Sequence, residues 1–342
     1  MRVLIVGAGA VGQVFGHHLA RGGAEVTFLV KPKYADDCRR GFTIYALGAL
    51  GALGALGALG RKPPLAQRFT GFGVITAPGE AAGVRWDHIY LTVSSTALRA
   101  GSWLAELAAA TGDAAIVFLQ PNLDDRAFLT SIVDPGRIVD GMIAFLAYHA
   151  LLPGETRFAE PGLAYWFPPA PSPFSGARAA DVVAALRRGK LPARRIRDVT
   201  ATAPFQSAML YAYLAAIEGA GWSFAELRRG DRLQLAGRGA AQALAIAGKQ
   251  LARRVPWRLR LAARPFVVGI VLRLARRIVP LDLETYLRVH FTKLSEQTRT
   301  GMQSYITHGQ AAGLAVDAIE QLVSFVGAPV AERAASERAA GA

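Results

Sequence analysis

The chain has 342 residues, 52% of them hydrophobic, and a formal net charge of +14. This length and composition suffice for one large core or for two domains. Its single cysteine, Cys38, excludes an intrachain disulfide and any zinc site built from several cysteines. No uncharged apolar stretch reaches about 18 residues, and the first residues lack the pattern of a signal peptide, so we expect a cytoplasmic protein.

The first segment predicts a buried strand that runs into a glycine-rich turn and a helix. The strand is Val3-Leu4-Ile5-Val6, and a G-x-G-x-x-G motif follows it at once. The first glycine of such a motif makes the tight turn, the second lets the backbone approach a pyrophosphate, and the third lets the helix pack close to the strand. The helix then directs free N–H groups at the phosphates. This order favours a dinucleotide site over a plain strand–helix turn, and its predicted cofactor-binding residues are Gly7, Gly9, Ala10, Val11 and Gly12.

The end of the second strand indicates which dinucleotide binds. Residues 25–30 predict this strand, and an NAD site usually carries an Asp or Glu near its end for the ribose hydroxyls. Lys31 and Lys33 stand there instead. Two ammonium groups attract a 2′-phosphate, whereas a carboxylate repels it. We therefore predict NADP as the cofactor, the alternative being two lysines that are merely solvated at a strand end.

Further strands follow at residues 42–45, 72–76, 88–93 and 114–119, with helices between several of them. This alternation predicts an α/β fold with a Rossmann-type doubly wound parallel sheet. Ligands of such sheets lie outside the carboxyl ends of the strands. The polar residues at these ends are candidates: Ser94, Ser95 and Gln120 for the cofactor, and Asn122 for the substrate.

The rest of the chain divides into a repeat, a strand-rich part and a helical part. Residues 46–60 are five consecutive Ala-Leu-Gly triplets, which match no helix or strand period and predict a low-complexity loop. Strand-like patterns at 142–148 and 163–167 precede a Pro-rich turn region at 168–173. Helical periodicity then continues from Pro204 onward. We expect an NADP-binding domain at 1–200 and an all-helical C-terminal domain at 201–342.

A strongly basic stretch lies within the helical domain. Residues 228–277 hold 13 Lys or Arg and one acid, Asp231. Between 251 and 279 the arginines alternate with Trp, Phe and Leu, a pattern typical of a helix lying on an anionic membrane surface. Long arginine stems covering a core, or a site for an acidic substrate, are the alternatives. No recognised nucleic-acid module appears, so we expect no nucleic-acid partner.

These motifs resemble the ketopantoate reductase family. The N-terminal G-x-G-x-x-G domain lacks the acidic ribose residue and is joined to helices, Lys31 falls where the family keeps a basic residue for NADP, and Gln120-Pro121-Asn122 is similar to the family's Gln-Asn-Gly segment. The resemblance implies an NADPH-dependent oxidoreductase acting on a small carbonyl or imine substrate, as a homodimer or monomer.

The chain departs from the family's pattern at its catalytic positions. Ser207 stands where the family has its catalytic lysine, and Tyr211 stands where an asparagine follows four residues later. Because a serine cannot replace an ammonium as a general acid, we expect a substrate other than ketopantoate, with Ser207 and Tyr211 as substrate residues. The alternative is a non-catalytic NADP-binding protein, docked to an anionic membrane surface.

A different proton donor is needed if the chain is an enzyme. His290, Lys293 and Gln297 lie in one stretch with helical periodicity, and residues four apart share a helix face. We expect Lys293 to be the catalytic general acid on a buried face, with Gln297 orienting the substrate from the next turn. The alternatives are that Lys293 is an exposed lysine on a surface helix, or that Tyr211 or Tyr213 donates the proton.

Overall fold

The computed structural model describes residues 1–48, 64–120 and 122–327, except for the side chain of Arg276. Pro121 and residues 49–60 of the repeat lie outside this range. The chain forms two compact units, Met1–Thr200 and Ala201–Ala342.

The N-terminal unit alternates strands and helices along the chain. Its elements in chain order are β1 (Arg2–Val6), α1 (Ala10–Arg21), β2 (Glu25–Leu29), α2 (Ala35–Arg39), β3 (Phe42–Ala46), β4 (Ala66–Phe69), β5 (Gly73–Ile75), β6 (His88–Leu91), α3 (Ser95–Leu98), α4 (Trp103–Ala110), β7 (Ala115–Phe118), α5 (Asp125–Thr130), β8 (Ile138–Gly141), β9 (Leu146–Ala150), β10 (Gly162–Trp166), β11 (Ser172–Ser175), α6 (Ala179–Arg188) and β12 (Ala193–Arg195).

The main sheet has the order β12-β11-β8-β7-β6-β1-β2-β5. Its strands are parallel to their neighbours except where β11 pairs antiparallel with β8. The chain builds outward from β1 to β2 and β5, and then returns to β1's other side with β6. The prediction of a doubly wound, Rossmann-type sheet is therefore confirmed, and the switch point lies between β1 and β6, where such sheets bind their ligands.

Strand β1 reads as a continuous apolar run because both of its faces are covered. Val3 and Ile5 belong to one core cluster with Phe15 and Leu19 of α1. Leu4 and Val6 belong to a second cluster on the opposite face, which includes residues of α3 and α4. A strand buried on both faces in this way shows no alternation of apolar and polar residues.

A second sheet, with the order β4-β3-β10-β9, is the main difference from the sequence prediction. In it β3 pairs antiparallel with β4 and parallel with β10. The strand expected at 142–148 is β9, displaced to Leu146–Ala150. The Pro-rich segment expected to be only a turn also contributes β11 to the main sheet, with Pro173 inside the strand.

His18 joins α1 to this second sheet. Its Nδ1–H donates to the carbonyl oxygen of Gly189 at 2.7 Å, and its Nε2 accepts from the Tyr165 hydroxyl at 3.0 Å. A carbonyl can only accept, so Nδ1 carries a proton, and the pKa lowered by burial keeps the ring neutral near pH 7 with Nε2 as the acceptor. Burial lowers the pKa of His18 to about 4, and it lowers the pKa of the adjacent His17 to about 4 as well.

The described part of the C-terminal unit consists of helices and their connections, which confirms the predicted all-helical region. These helices are α7 (Ala203–Gly219), α8 (Phe224–Arg229), α9 (Arg232–Gln250), α10 (Trp257–Ala262), α11 (Pro265–Ile278), α12 (Leu283–Thr292), α13 (Ser295–Ala311) and α14 (Asp317–Val323). Small residues let them pack closely: a Cβ at Gly239 of α9 would lie 2.4 Å from Cδ1 of Leu322 on α14. None of the described helices is long and apolar enough to cross a membrane.

Candidate cofactor site

A cleft of about 750 Å³ opens at the carboxyl ends of β1, β2 and β6. The glycine-rich turn forms one wall, the segment after β2 forms another, and the segment after β6 forms a third. This is the edge of the sheet, next to the switch point, where the sequence places its cofactor-binding residues. The cleft therefore has the location and size of a small-molecule site.

The three motif glycines occupy positions with different geometric demands. Gly7 has a φ of +97°, a backbone conformation that residues with a Cβ seldom adopt. At Gly9, a Cβ would meet no atom within 4 Å, so the second glycine leaves open space in the cleft. At Gly12, a Cβ would lie 2.1 Å from the carbonyl oxygen of Gly7. The turn, the open approach and the close packing match the roles that such a motif assigns to its glycines.

Helix α1 begins within this turn and directs its N-terminus at the cleft's glycine wall. Gly9 is its N-cap residue, with no side chain to cap the helix, and Ala10 and Val11 open the first turn. The N–H groups of a first helical turn lack partners within the helix and favour anions. A pyrophosphate fits this arrangement, because it would supply both the missing acceptors and the negative charge.

Two polar side chains that the sequence analysis did not single out hold the glycine turn in place. The hydroxyl of Thr92 lies 2.8 Å from the carbonyl oxygen of Val6 and 2.9 Å from that of Gly7. The amide of Gln13 donates to the carbonyl oxygen of Ala8 at 2.8 Å. Thr92 stands 85 residues from Gly7, so only the strand pairing of β1 with β6 could have revealed that contact.

The segment after β2 brings charged groups to the cleft. Lys31 is exposed and lines it, whereas Lys33 does not line it and places its ammonium 4.8 Å from the centroid of the Tyr34 ring. Asp37 also lines the cleft, ion-paired with Arg40. The lysines after β2 are therefore not the only charged groups at this end of the cleft, because α2 brings the Asp37 carboxylate to it six residues after Lys31.

The loop that follows β5 shapes the same end of the cleft. Thr76 and Pro78 line it, and Glu80 holds them by accepting hydrogen bonds from the backbone N–H groups of Thr76 at 2.9 Å and of Ala77 at 2.8 Å. These hydrogen bonds lower the pKa of Glu80. The loop therefore keeps its shape while this carboxylate is ionised.

The two serines after β6 have different surroundings. Ser94 lines the cleft and caps α3 by accepting from the N–H of Ala97 at 3.2 Å. Ser95 is buried, and its hydroxyl donates to the carboxylate of Asp125 at 2.5 Å. Of this predicted pair, the structure brings Ser94 to the cleft and Ser95 into the protein.

Asp125, fully buried, ties the loop after β6 to the loop after β7. Besides the Ser95 hydroxyl, its carboxylate accepts the N–H of Asn122 at 3.1 Å and pairs with Arg99. Asn122, the predicted substrate residue, is thereby held by its backbone. Removing one partner of such a buried carboxylate strongly destabilises the folded protein, because the charge is left without compensation.

Gln120 uses its side chain to join β6 and β7. Its Nε2 donates to the carbonyl oxygens of Leu91 and Val93, both at 2.9 Å, and its Oε1 accepts the N–H of Leu119 at 3.1 Å. Both amide protons are used, and Gln120 does not line the cleft. The contacts thus position the strand ends, while the predicted cofactor contact stays a prediction.

The predicted substrate and catalytic residues of the C-terminal unit fall on three helical elements. Ser207 and Tyr211 lie one turn apart on α7, and both are buried. The expectation of one helix through Lys293 and Gln297 is wrong. Helix α12 ends at Thr292, Lys293 is its C-cap residue, and Gln297 belongs to α13.

The break at Lys293 has a local cause. The Ser295 hydroxyl lies 3.2 Å from the carbonyl oxygen of Phe291 and 3.1 Å from that of Thr292, and the N–H of Leu294 bonds to Phe291 at 3.0 Å. These bonds satisfy the last carbonyls of α12. Lys293 is exposed rather than buried, which also corrects the expectation of a buried face.

Comparison with known proteins identifies the family. Residues 3–171 match the model of the family described as ketopantoate reductase PanE/ApbA. This N-terminal region belongs to the ketopantoate reductase family. Its relatives are oxidoreductases that act on CH–OH groups, and the resemblance stated from the sequence is confirmed. No curated protein matches the sequence.

Solved structures of several dehydrogenases and reductases share the fold over almost the whole chain. A 2-dehydropantoate 2-reductase from Geobacter metallireducens GS-15 has a TM-score of 0.67 at 17% identity, covering 95% of this chain and 99% of its own. A PanE/ApbA family ketopantoate reductase from Ralstonia eutropha JMP134 has a TM-score of 0.64 at 18% identity, covering 95% and 97%. D-mandelate dehydrogenase, solved with NADH and anilino(oxo)acetate, has a TM-score of 0.66 at 13% identity, covering 95% and 97%. At these identities the likeness concerns the fold.

Proposed function

We propose that this protein is an NADP-dependent oxidoreductase that reduces a small carbonyl or imine compound other than ketopantoate. The observation that carries the proposal is the cleft at the ends of β1, β2 and β6, with open space at Gly9 and the exposed ammonium of Lys31 on its wall. The family membership of residues 3–171 supports the reaction class.

Different residues of the cleft would bind different parts of the cofactor. The α1 N-terminus and the Gly9 backbone suit the pyrophosphate. Lys31 suits a 2′-phosphate, and Lys33 adds positive charge two residues further on. Asp37 has Arg40 as its ion-pair partner, which offsets the repulsion its carboxylate would exert on that phosphate. When bound, NADPH supplies the hydride of the reduction.

The identity of the substrate depends on positions where this chain differs from the family pattern. Ser207 offers a hydroxyl in place of an ammonium, and Tyr211 offers a phenol in place of an amide. A neutral hydroxyl gives a carboxylate less stabilisation than a charged group does. Ser207 and Tyr211 therefore favour a small carbonyl compound with less need of a cationic anchor than ketopantoate has.

The cofactor choice is tested by titrating NADPH and NADH against the unmutated protein, Lys31→Glu and Lys33→Glu, with nucleotide fluorescence as the readout. We expect NADPH to bind more tightly. Lys31→Glu should cost about 1.5–3 kcal/mol of NADPH affinity and reverse or abolish the preference. Lys33→Glu is the matched comparison, and its effect should be smaller because Lys33 does not line the cleft. Equal affinities for both nucleotides in the unmutated protein would remove the argument.

A measurement of activity distinguishes the enzyme from the alternative, a non-catalytic NADP-binding protein. A screen of keto acids, aldehydes and imines that follows NADPH absorbance should find turnover if the chain is an enzyme. Firm NADPH binding without turnover of any compound in the screen would favour the alternative.

A further inference from the structure

Helices α10 and α11 of the C-terminal unit expose a set of large apolar side chains. Phe266 is 77% exposed, Trp257 68% and Val271 54%. Seven of the twelve exposed large hydrophobic residues in the described chain lie on these two short helices. We call this set the α10–α11 face: Trp257, Leu261, Phe266, Ile270, Val271, Leu274 and Ile278. Soluble proteins seldom leave apolar residues clustered in this way unless the surface binds something.

The exposed stripe of α11 is separate from the face by which α11 packs. Phe266, Ile270, Leu274 and Ile278 recur every four residues and therefore share one side of the helix. The packed side carries Leu272, which is buried, and Gly269, where a Cβ would lie 3.6 Å from Cδ2 of Leu233 on α9. The core already has its contacts with α11, so the stripe is available to a partner.

The chain segment that carries this face has charges of one sign. Residues 232–281 contain eleven Lys or Arg and no Asp or Glu. Arg273 and Arg277 are exposed on α11 next to the apolar stripe, and the guanidinium of Arg258 lies 5.5 Å from the centroid of the Trp257 ring. A partner that covers the face must therefore offer apolar surface and negative charge together.

A basic cavity of about 660 Å³ lies beside the face, between α9 and residues 253–265. Five arginines line it, and the described lining includes no Asp or Glu. They are Arg238, Arg253, Arg254, Arg260 and Arg264. Guanidinium groups bind phosphate oxygens with paired hydrogen bonds, so such a cavity fits phosphate groups better than it fits isolated carboxylates.

We propose that the α10–α11 face docks this protein on a membrane surface rich in anionic phospholipid. The apolar stripe enters the boundary between headgroups and acyl chains, while the arginines beside it and in the cavity bind lipid phosphates. A second copy of the chain is a poorer occupant, because two stretches of eleven positive charges would meet. Nucleic acid would leave the apolar stripe uncovered.

Vesicle sedimentation tests the proposal with the full chain. Vesicles of phosphatidylcholine alone are compared with equal mixtures of phosphatidylcholine and phosphatidylglycerol, at low and high salt. We expect binding to the anionic vesicles, weakened by salt. Trp257 emission should shift to the blue on binding, and Trp257→Phe should remove most of that shift.

Single substitutions then separate the two contributions. Phe266→Glu should reduce binding at least tenfold, and removing the charge of Arg273 with Arg273→Gln should reduce it about fivefold. Leu65→Glu and Arg194→Gln are the matched controls, since both positions are exposed on the N-terminal unit, and neither should change binding. The far-ultraviolet circular dichroism spectrum and the Tm should stay the same in all four variants, which shows that each is folded. NADPH affinity should also stay the same, because the cofactor cleft lies in the other unit.

Three outcomes would overturn the proposal. Equal binding to both kinds of vesicle, or to neither, would contradict an anionic lipid partner. A dimer in light scattering that becomes monomeric in Phe266→Glu would make the face an interface between copies. Binding to duplex DNA that survives Phe266→Glu, without vesicle binding, would assign the arginines to nucleic acid.

Discussion

Gly9 and Gly12 lie in one turn, yet a side chain at each should have opposite consequences. Gly9→Val places its side chain in open space, so the fold should persist while the approach of a pyrophosphate is blocked. Gly12→Ala forces a Cβ within 2.1 Å of the Gly7 carbonyl oxygen, so α1 must shift. We expect Gly9→Val to abolish NADPH binding with little change in Tm, and Gly12→Ala to lower the free energy of unfolding by about 1–3 kcal/mol.

Circular dichroism melting and NADPH fluorescence titration of both variants distinguish these effects. Gly230→Val is the control, because a Cβ at this exposed glycine also meets no atom within 4 Å and the residue lies in the C-terminal unit, outside the cleft. Normal NADPH binding by Gly9→Val would show that the assignment of this turn to phosphate is wrong.

The buried histidines of α1 make stability depend on pH. Burial lowers the pKa values of His17 and His18 to about 4, whereas an unfolded histidine titrates near 6.5. Between these values the unfolded chain binds protons that the folded chain does not, so the free energy of unfolding falls as pH decreases from about 6.5 toward 4. His18 alone should contribute a loss of about 2 kcal/mol at pH 5.

Urea unfolding at pH 7 and pH 5 measures this dependence. His18→Asn keeps a donor near the Gly189 carbonyl but cannot take up a proton. It should be less stable than the unmutated protein at pH 7 and lose less stability at pH 5. An identical pH dependence in both proteins would mean that the His18 ring does not titrate as its burial implies.

At the scale of single residues, the sequence predicted the functional residues whose roles depend on their neighbours in the chain. The glycine roles follow from their spacing within one motif, and the structure places Gly7, Gly9 and Lys31 on one cleft. Thr92 and Asp125 escaped prediction because their partners are distant in the chain: Thr92 bonds to Gly7, and Asp125 lies 30 residues from Ser95. No local pattern marks a polar side chain whose partner arrives through strand pairing.

At the scale of elements, apolar runs revealed most strands of the main sheet but missed its strands β11 and β12 and the strand β4 of the second sheet. Strand β4 has three exposed residues out of four, so no apolar period marks it. Strand β11 contains Pro173, and the short β12 has two exposed arginines. Such strands form because of the neighbouring strands they pair with, and their own side chains show no pattern from which a strand could be predicted.

The junction of α12 and α13 is the element-scale miss that bears on catalysis. Helical periodicity continues across residues 290–297, but the Ser295 hydroxyl ends α12 after Thr292. The role of Lys293 as general acid therefore rests on the need for a proton donor in carbonyl reduction, without the shared helix face that first suggested it.

Lys293→Ala tests that role directly. If Lys293 donates the proton, turnover of whatever carbonyl compound the screen finds should fall about 10²–10⁴-fold with NADPH affinity unchanged. Lys249→Ala is the matched control, since Lys249 is another exposed lysine of the C-terminal unit. Full activity in Lys293→Ala would dismiss the residue and direct attention to the phenols of Tyr211 and Tyr213.

At the scale of the whole molecule, the two proposed ligands belong to different compact units. The cofactor cleft lies within Met1–Thr200, and the α10–α11 face lies within Ala201–Ala342. A bound ligand slows hydrogen exchange in the backbone that it contacts. At a free concentration of a hundred times its Kd, a ligand stabilises the folded state that binds it by about 2.7 kcal/mol. Each ligand should therefore leave its own exchange pattern on the full chain.

Hydrogen exchange measured by mass spectrometry reports this protection for each peptide of the chain. Saturating NADPH should slow exchange in the glycine turn and α1, at residues 29–38 and after β6, by up to about 100-fold where exchange follows opening of the site. Anionic vesicles should slow exchange in α10 and α11 instead. Two variants are the controls. Phe266→Glu should lose the protection by vesicles and keep the protection by NADPH, whereas Gly9→Val should lose the protection by NADPH and keep the protection by vesicles. Loss of both patterns in either variant would show that the two surfaces are coupled, against their assignment to separate units.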